Sequence, residues 1–571
     1  MASQTKLLLF GIVMLAAVLR FAALDSIPPG IYPDEALNGV EGLRAATTRD
    51  FKVFYPTNNG REGLWINLIG IVVKTLGANQ FSLRFLSAIV GVLTVLGLFF
   101  VTKKLFKSDG VAIIAALFLA TSFWHIDFSR IAFRAINVPL LTIWGFYFLL
   151  KSFQTPSPKR YTLYATLGGL VFGLGFHTYI AYRVAPLLLF AFFILKITDA
   201  RSRAAGYSSR RRNTRPEIGL PSGLSPPLRS GLAFIPTAER RGILPEIIKD
   251  FRNENAWRFT KIAAIFLATA SMVLAPILLY MANHRDDFLK RDGAKIGVFE
   301  QANPLKALAL SAAKTALMFN VRGDCNWRHN FPCKPQLPFV VGILFLAGIW
   351  LSLKTIFKKN AGHGEFFPYA FVLAWFLVFL IPQVLTSEGI PHALRAIGVL
   401  PPVMMFAALG THWVYVWAAN NYYLRIARYA LPVLVLAAAA IGPYRYFGAW
   451  AHHAKTAKEF TQHYVRIAAY IKTDIAKGTP IYVITNEGDV HIDGVSVHAQ
   501  TVKYLLLDDP GISASVAYSN PSEFLQTPPP LSPGSVIIPL KPDEHLFNSL
   551  RNRKLDIMVV SFKDFQVGVV K

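Results

Sequence analysis

The sequence predicts an all-α polytopic membrane protein of about eleven transmembrane helices, followed by a small α/β domain outside the bilayer. Three observations carry that expectation. Of the 571 residues, 53% are hydrophobic and 16% charged, where soluble proteins carry about 25% charged residues, and the mean hydropathy is +0.40. The apolar residues fall in blocks of membrane-crossing length, and beyond residue 447 the pattern changes to short strand-like runs. The same composition excludes a disordered chain, a disulfide scaffold and a collagen-like chain.

Lys6 followed by Leu7 to Leu19 reads as a retained first span, because Arg20-Phe21 follow directly with no small-x-small cleavage site. Further spans are expected at 81–101, 110–125, 137–151, 161–178, 182–198, 262–281, 338–353, 366–382, 396–417 and 430–447, with 110–125 and 338–353 the shortest. The joins follow the positive-inside rule. With Lys6 inside, the inside joins carry Lys103, Lys104 and Lys107, then Lys151, Lys159 and Arg160, then Lys354, Lys358 and Lys359, then Arg425 and Arg428. An odd number of spans leaves the C-terminus outside. This topology accounts for the excess of 59 Lys+Arg over 33 Asp+Glu, a net +26. No basic helix interleaved with aromatics and no zinc-finger spacing is present, so no nucleic-acid partner is expected.

Three segments depart from the span pattern. Residues 199–261, with Arg210-Arg211-Arg212 and Pro216, Pro221, Pro226 and Pro227, read as a basic disordered cytoplasmic insertion. Residues 25–64 and 282–337 are long external loops. The second holds both cysteines, Cys325 and Cys333, which form a local disulfide in an oxidising space or remain two free thiols. In 448–571, the expected extracytoplasmic domain, a helix is predicted over 455–476 and strands at 481–484, 535–538 and 558–560.

Chemistry concentrates in the first external loop. Asp34-Glu35 follow Pro28-Pro29-Gly30 and Tyr32-Pro33, which end the helix and set an irregular loop. A carboxylate at the membrane surface suits general-base attack on a hydroxyl. A bare acidic pair is far more often a solvated loop, and it is the surrounding order of residues that changes the weighing. No Walker loop, His-Glu-x-x-His or Cys-x-x-Cys is present, which argues against an ATP-driven pump and demands no metal.

That order resembles the integral-membrane GT-C superfamily of polyprenol-phosphate-sugar-dependent glycosyltransferases, in its protein O-mannosyltransferase and lipid A aminoarabinose transferase (glycosyltransferase family 39-like) branch. The likeness rests on Arg20-Phe21, Pro28 to Gly30, Asp34-Glu35-Ala36, Arg61 with Leu64, and Gly77 with Ser82 and Arg84. It continues through Trp124 to Arg134, Gly173 to Tyr179 with Arg183, Met318 to Pro332, and Pro391 to Ala396 with Pro401, covering roughly 7–420. Arg61-Glu62-Gly63-Leu64 departs from the family's Lys-Pro-Pro-Leu or His-Pro-Pro-Leu form but keeps the basic charge.

The resemblance implies transfer of a sugar, with inversion, from a polyprenyl-phosphate donor to a hydroxyl on a glycan, lipid or protein. The work would take place on the outer side of a plasma or inner membrane. It implies Asp34 as the base with Glu35 beside it, and Arg61, Arg395, Arg130 and Arg134 on the donor phosphate. Guanidinium groups there would stabilise charge growing on the leaving phosphate. Asp127, Asp324, Arg328 and His329 are further candidates for donor or acceptor contacts. No cofactor is expected; the mannosyl and aminoarabinosyl branch needs no metal, while oligosaccharyl relatives use one. The competing reading is a transporter or flippase for a lipid-linked saccharide. Such proteins place ionisable residues at mid-bilayer in repeated halves, whereas here the charges lie in loops and no repeat is visible.

Overall fold

The computed structural model describes residues 3–213, 239–289, 297–358, 366–424, 426–488 and 490–571. In chain order the membrane part runs α1 (Ser3–Phe21), α2 (Pro33–Thr48), β1 (Phe54–Tyr55), β2 (Arg61–Glu62), α3 (Gly63–Leu76), α4 (Gln80–Phe106), α5 (Asp109–Thr121) and α6 (Phe123–Phe128). It continues with α7 (Asn137–Gln154), α8 (Pro158–Leu174), α9 (Ala185–Asn213), α10 (Glu239–Asn283), α11 (Arg285–Leu289) and α12 (Pro304–Leu317). It closes with α13 (Phe339–Ile356), α14 (Phe366–Val384), α15 (Leu400–Asn420) and α16 (Ala427–Pro443), which runs on as a π-helical turn through Trp450.

Every predicted span is a helix, and nine helices among the described residues are long and apolar enough to cross a membrane. Helix α13 reaches 18 residues and belongs to that set. Helix α5, at 13 residues, and α8, at 17, do not. Helix α8 starts on Pro158-Lys159-Arg160 and packs against both α7 and α10. The helix starts are chemically marked. Asn79 accepts a hydrogen bond from the Ser82 amide at 2.9 Å and begins α4; Ser108 does the same for α5.

The 25–64 loop is helical over part of its length where an irregular loop was expected. Pro33 occupies the first turn of α2, where its fixed φ and missing N–H cost nothing, and Asp34 and Glu35 follow at the positive end of the helix. Helix α3 returns against α2 so closely that a Cβ on Gly70 would lie 1.9 Å from the Gly42 carbonyl oxygen. The expected disordered insertion is also only partly as read. Helices α9 and α10 extend into both of its ends, and 214–238 lie outside the described residues.

The C-terminal region folds as an α/β unit. A five-stranded sheet has the order β6-β3-β7-β9-β8, with β3 (Ile481–Ile484) parallel to β6 (Val516–Ser519) and β7 (Val536–Pro539). Strands β8 (Ile557–Ser561) and β9 (Gln566–Val570) close it as an antiparallel hairpin, and β4 (His491–Ile492) and β5 (Val495–Ser496) form a separate one. Separate apolar clusters flank the sheet, one around Ile467, Val483 and Val502, the other around Phe524, Ile537 and Phe547. The predicted helix 455–476 is two helices, α17 (Ala454–Glu459) and α18 (Gln462–Thr473), because Thr461 between them sits at φ +49°.

This unit grips the 25–64 loop. The hydroxyls of Thr461 and Thr501 both donate to the Ile31 carbonyl, at 2.7 and 3.0 Å. Gly30, at φ +93°, brings its backbone so close that a Cβ would stand 2.2 Å from the Phe460 carbonyl oxygen.

Candidate active site

The end of α1, the start of α2, α6, the 318–337 loop, the 385–396 segment and α17 meet at one end of the bundle. Asp34 lies in the first turn of α2, half-buried. One of its oxygens accepts from Asn58 Nδ2 at 2.9 Å, from the turn between β1 and β2. Tyr32, two residues earlier, carries the Arg328 guanidinium over its ring at 4.0 Å. Burial, with the Asp34 charge adding to it, raises the Tyr32 phenol above its ordinary pKa. Arg328 stands 4.0 Å from Glu459 of α17.

Beside this group is a cavity of about 400 Å³, lined by Asp324, Arg328, Glu388, His392 and Arg395 among others. Arg395 donates through Nη1 to the Glu388 carbonyl at 2.7 Å and to Thr386 Oγ1 at 3.2 Å. It has no carboxylate ion pair among the described residues. Arg328 and Arg395 therefore present guanidinium surface to one cavity.

The other arginines named from the sequence are spent within the protein. Arg61 is 3% exposed. It pairs with Glu41 and donates to Asn38 Oδ1 at 2.8 Å and to Thr57, bracing the β1–β2 turn on α2. Arg130 is fully buried and gives its Nη hydrogens to the carbonyls of Leu19, Arg20, Ala22, Ala23 and Ile27, capping the end of α1. Arg134 is held by Glu62 at 2.5 Å, and Arg183 approaches the same carboxylate at 3.3 Å. In this structure these three guanidinium groups are tied to carboxylates or carbonyls around the site, which leaves fewer of their donors for a ligand phosphate.

Glu35 likewise faces inward. It is fully buried, accepts from the Ala132 amide at 2.8 Å and pairs with Arg84 at 3.4 Å. Arg84 in turn donates to the carbonyls of Pro28 and Gly30. Glu35 thus anchors the turn that carries Asp34 rather than facing a ligand. Asp127, at the end of α6, is fully buried, and neither oxygen has a hydrogen-bond partner among the described residues. Burial first, then the nearby Glu35 and Asp324, push its carboxyl well above the usual range.

Asp324 and His329 do come together. His329 Nδ1 lies 3.1 Å from Asp324 Oδ2 in a loop closed by the Cys325–Cys333 disulfide. Burial works against the charged Asp324, but the His329 and Asn326 hydrogen bonds outweigh it and hold the carboxyl below its ordinary value. Burial lowers His329, and lowers His392 further. Sequence reasoning missed His392 as a site residue, although it stands in the quoted Pro391-His392-Ala393-Leu394-Arg395 run. It also missed Tyr32, Asn58 and Glu459; no local pattern could bring Glu459 to a loop more than four hundred residues earlier.

The comparisons can now be set beside this geometry. The family model for dolichyl-phosphate-mannose-protein mannosyltransferases matches residues 64–205. No curated protein matches the chain in sequence. The crystal structure of ArnT from Cupriavidus metallidurans bound to undecaprenyl phosphate is similar over 100% of this chain and 98% of that one, with a TM-score of 0.55 and 13% identity. The apo structure of the same ArnT gives 99% and 98%, 0.54 and 12%. The oligosaccharyltransferase AglB from Archaeoglobus fulgidus, in complex with an inhibitory peptide and a dolichol-phosphate, covers 88% of this chain and 63% of that chain, at a TM-score of 0.47 and 14% identity. The fold is thus that of ArnT, and with the 64–205 match it bears out the resemblance to GT-C membrane glycosyltransferases related to the O-mannosyltransferases and ArnT.

Proposed function

We propose that the chain is an integral-membrane glycosyltransferase that moves a sugar from a polyprenyl-phosphate donor to an acceptor hydroxyl on the extracytoplasmic side, with inversion. Asp34 takes the hydroxyl proton as the oxygen attacks the anomeric carbon. The bond from that carbon to the phosphate oxygen breaks, and the lipid phosphate leaves with the electron pair. Arg395 and Arg328 stabilise the phosphate as its charge grows. The observation that carries this reading is the position of Arg328, which lines the cavity with Arg395 and also lies over Tyr32, two residues from the half-exposed Asp34 carboxylate. This supports the reading by setting the Arg328 guanidinium beside the turn that carries Asp34, although Asp34 does not itself line the cavity. The outer side is supported by the basic inside joins and by a disulfide in the 318–337 loop, since disulfides persist in oxidising spaces.

Detergent-purified protein given a polyprenyl-phosphate sugar and an acceptor tests the reading. Asp34→Asn is expected to cut turnover by roughly 100- to 10,000-fold, the range of a general base. Arg395→Ala should weaken donor use by about 10- to 100-fold, as expected for a charge-assisted hydrogen bond. Unchanged transfer by a correctly inserted Asp34→Asn protein removes the base. Transfer by the natural chain that needs sealed vesicles favours a lipid-linked-saccharide transporter instead.

A further inference from the structure

Asp324, His329 and His392 come from two external segments. The loop that carries the first two is bent back on itself. The Asn326 amide donates to Asp324 Oδ1 at 2.8 Å, the Cys333 amide donates to the Asp324 carbonyl at 2.8 Å, and the Cys325–Cys333 disulfide closes the turn. His329 is thereby folded over Asp324, and its ring stacks on Phe128 of α6. His392 arrives from the segment ahead of α15, with its ring centroid 4.7 Å from that of His329. The Ala393 amide next to it donates to Asp324 Oδ2 at 2.7 Å.

The result is two imidazoles and one carboxylate whose ligand atoms all lie within 4.8 Å of one another. A second observation marks the cluster as unfinished: His392 Nδ1 is buried and has no hydrogen-bond partner among the described residues. A buried imidazole nitrogen without a partner is costly unless something binds it.

We propose that Asp324, His329 and His392 form a binding site for a divalent transition-metal ion of the zinc type, which ties the disulfide-closed loop to the segment bearing Arg395. Zinc takes histidine nitrogens and carboxylate oxygens at about 2.0–2.2 Å in a tetrahedron, which sets neighbouring ligand atoms roughly 3.3 Å apart. The 3.1 Å between Asp324 Oδ2 and His329 Nδ1 already has that spacing. Two imidazoles with a carboxylate select zinc and its first-row neighbours over calcium or magnesium, which prefer all-oxygen cages.

The charged surroundings are mixed. Arg328 and Arg395 bear on both histidines, while Glu388 lines the same cavity and Asp127 lies close enough to feel Asp324. Three protein ligands leave a fourth position, and two of the three, Asp324 and His392, line the cavity. The site shares its cavity with Arg328 and Arg395 but does not include Asp34, and metal binding is read without sugar transfer, so the two proposals fail separately.

The test uses the full chain in detergent with a histidine-free tag, stripped with a chelator and dialysed. Zn2+ titration and elemental analysis should give one ion per chain, and Co2+ loading should give the strong visible bands of a tetrahedral ion. His392→Ala and His329→Ala should each weaken Zn2+ binding by at least roughly 100-fold, the upper end of what even residues behind the ligands command. Size-exclusion behaviour and an intact Cys325–Cys333 disulfide show that a variant is folded. If His392→Ala does not fold, His392→Cys should keep stoichiometric Zn2+ and add a thiolate charge-transfer band to the Co2+ spectrum. Substoichiometric Zn2+ in the natural chain, or equal binding by the natural chain and folded variants, overturns the site whatever the outcome of the transfer assay.

Discussion

Arg20, Arg84 and Arg130 are fully enclosed, and each gives donors to backbone carbonyls at the end of α1, of α5 or of the turn after α1. Helix ends leave carbonyls without partners, and where water is scarce a guanidinium satisfies several at once. That is why the sequence shows so many arginines beside span ends, and why most of them are framework. Residue type and loop position put all five candidate arginines at one end of the bundle. They could not separate Arg395, which borders a cavity, from Arg61 and Arg134, which meet Glu41 and Glu62 through contacts that depend on the fold. Asp127 presents the opposite case, a buried acid with no hydrogen-bond partner among the described residues. A carboxyl whose folded pKa is raised carries a penalty that is absent below its unfolded pKa, about 4, and grows as pH rises toward the folded value. Asp127→Asn should therefore melt at a higher temperature than the natural chain at pH 8, and the gap should vanish near pH 4. A gap that is the same at both pH values removes the raised pKa from the explanation.

At the scale of elements, the eleven apolar runs were legible because hydropathy over about twenty residues is a local property. Helices α2 and α3 were not, since prolines and glycines there signal a break. Pro33 in fact starts a helix, and Gly42 and Gly70 let two helices touch backbone to backbone. Strands β6 and β9 were also missed. Val516–Ser519 is a short run that only its pairing with β3 makes a strand. Gly30 joins the two halves of the molecule. A side chain there meets both a left-handed φ and the Phe460 carbonyl, and overpacking of this kind costs about 1–3 kcal/mol. Gly30→Val is expected to lower the melting temperature and to expose the α16–α17 connection to protease. An unchanged cleavage pattern would mean that the contact at Gly30 does not hold the unit in place.

On the scale of the whole molecule, the proposed reaction requires one orientation in the bilayer. Reporter fusions at Lys571 and within the join after α13 should read outside and inside, respectively; the reverse pattern would put Asp34 in the cytosol and leave the proposed reaction without its lipid-exposed side. The double hydroxyl clasp on the Ile31 carbonyl bears on synthesis as well as catalysis. The ribosome makes the turn ahead of Asp34 among the first residues, and Thr461 and Thr501 among the last fifth of the chain. A nascent or truncated polypeptide thus holds every helix of the bundle yet lacks the latch on its reactive corner. Under the proposed reaction, a chain ending before Thr461 is therefore expected to insert its helices yet lack the contacts that fix the Ile31 turn.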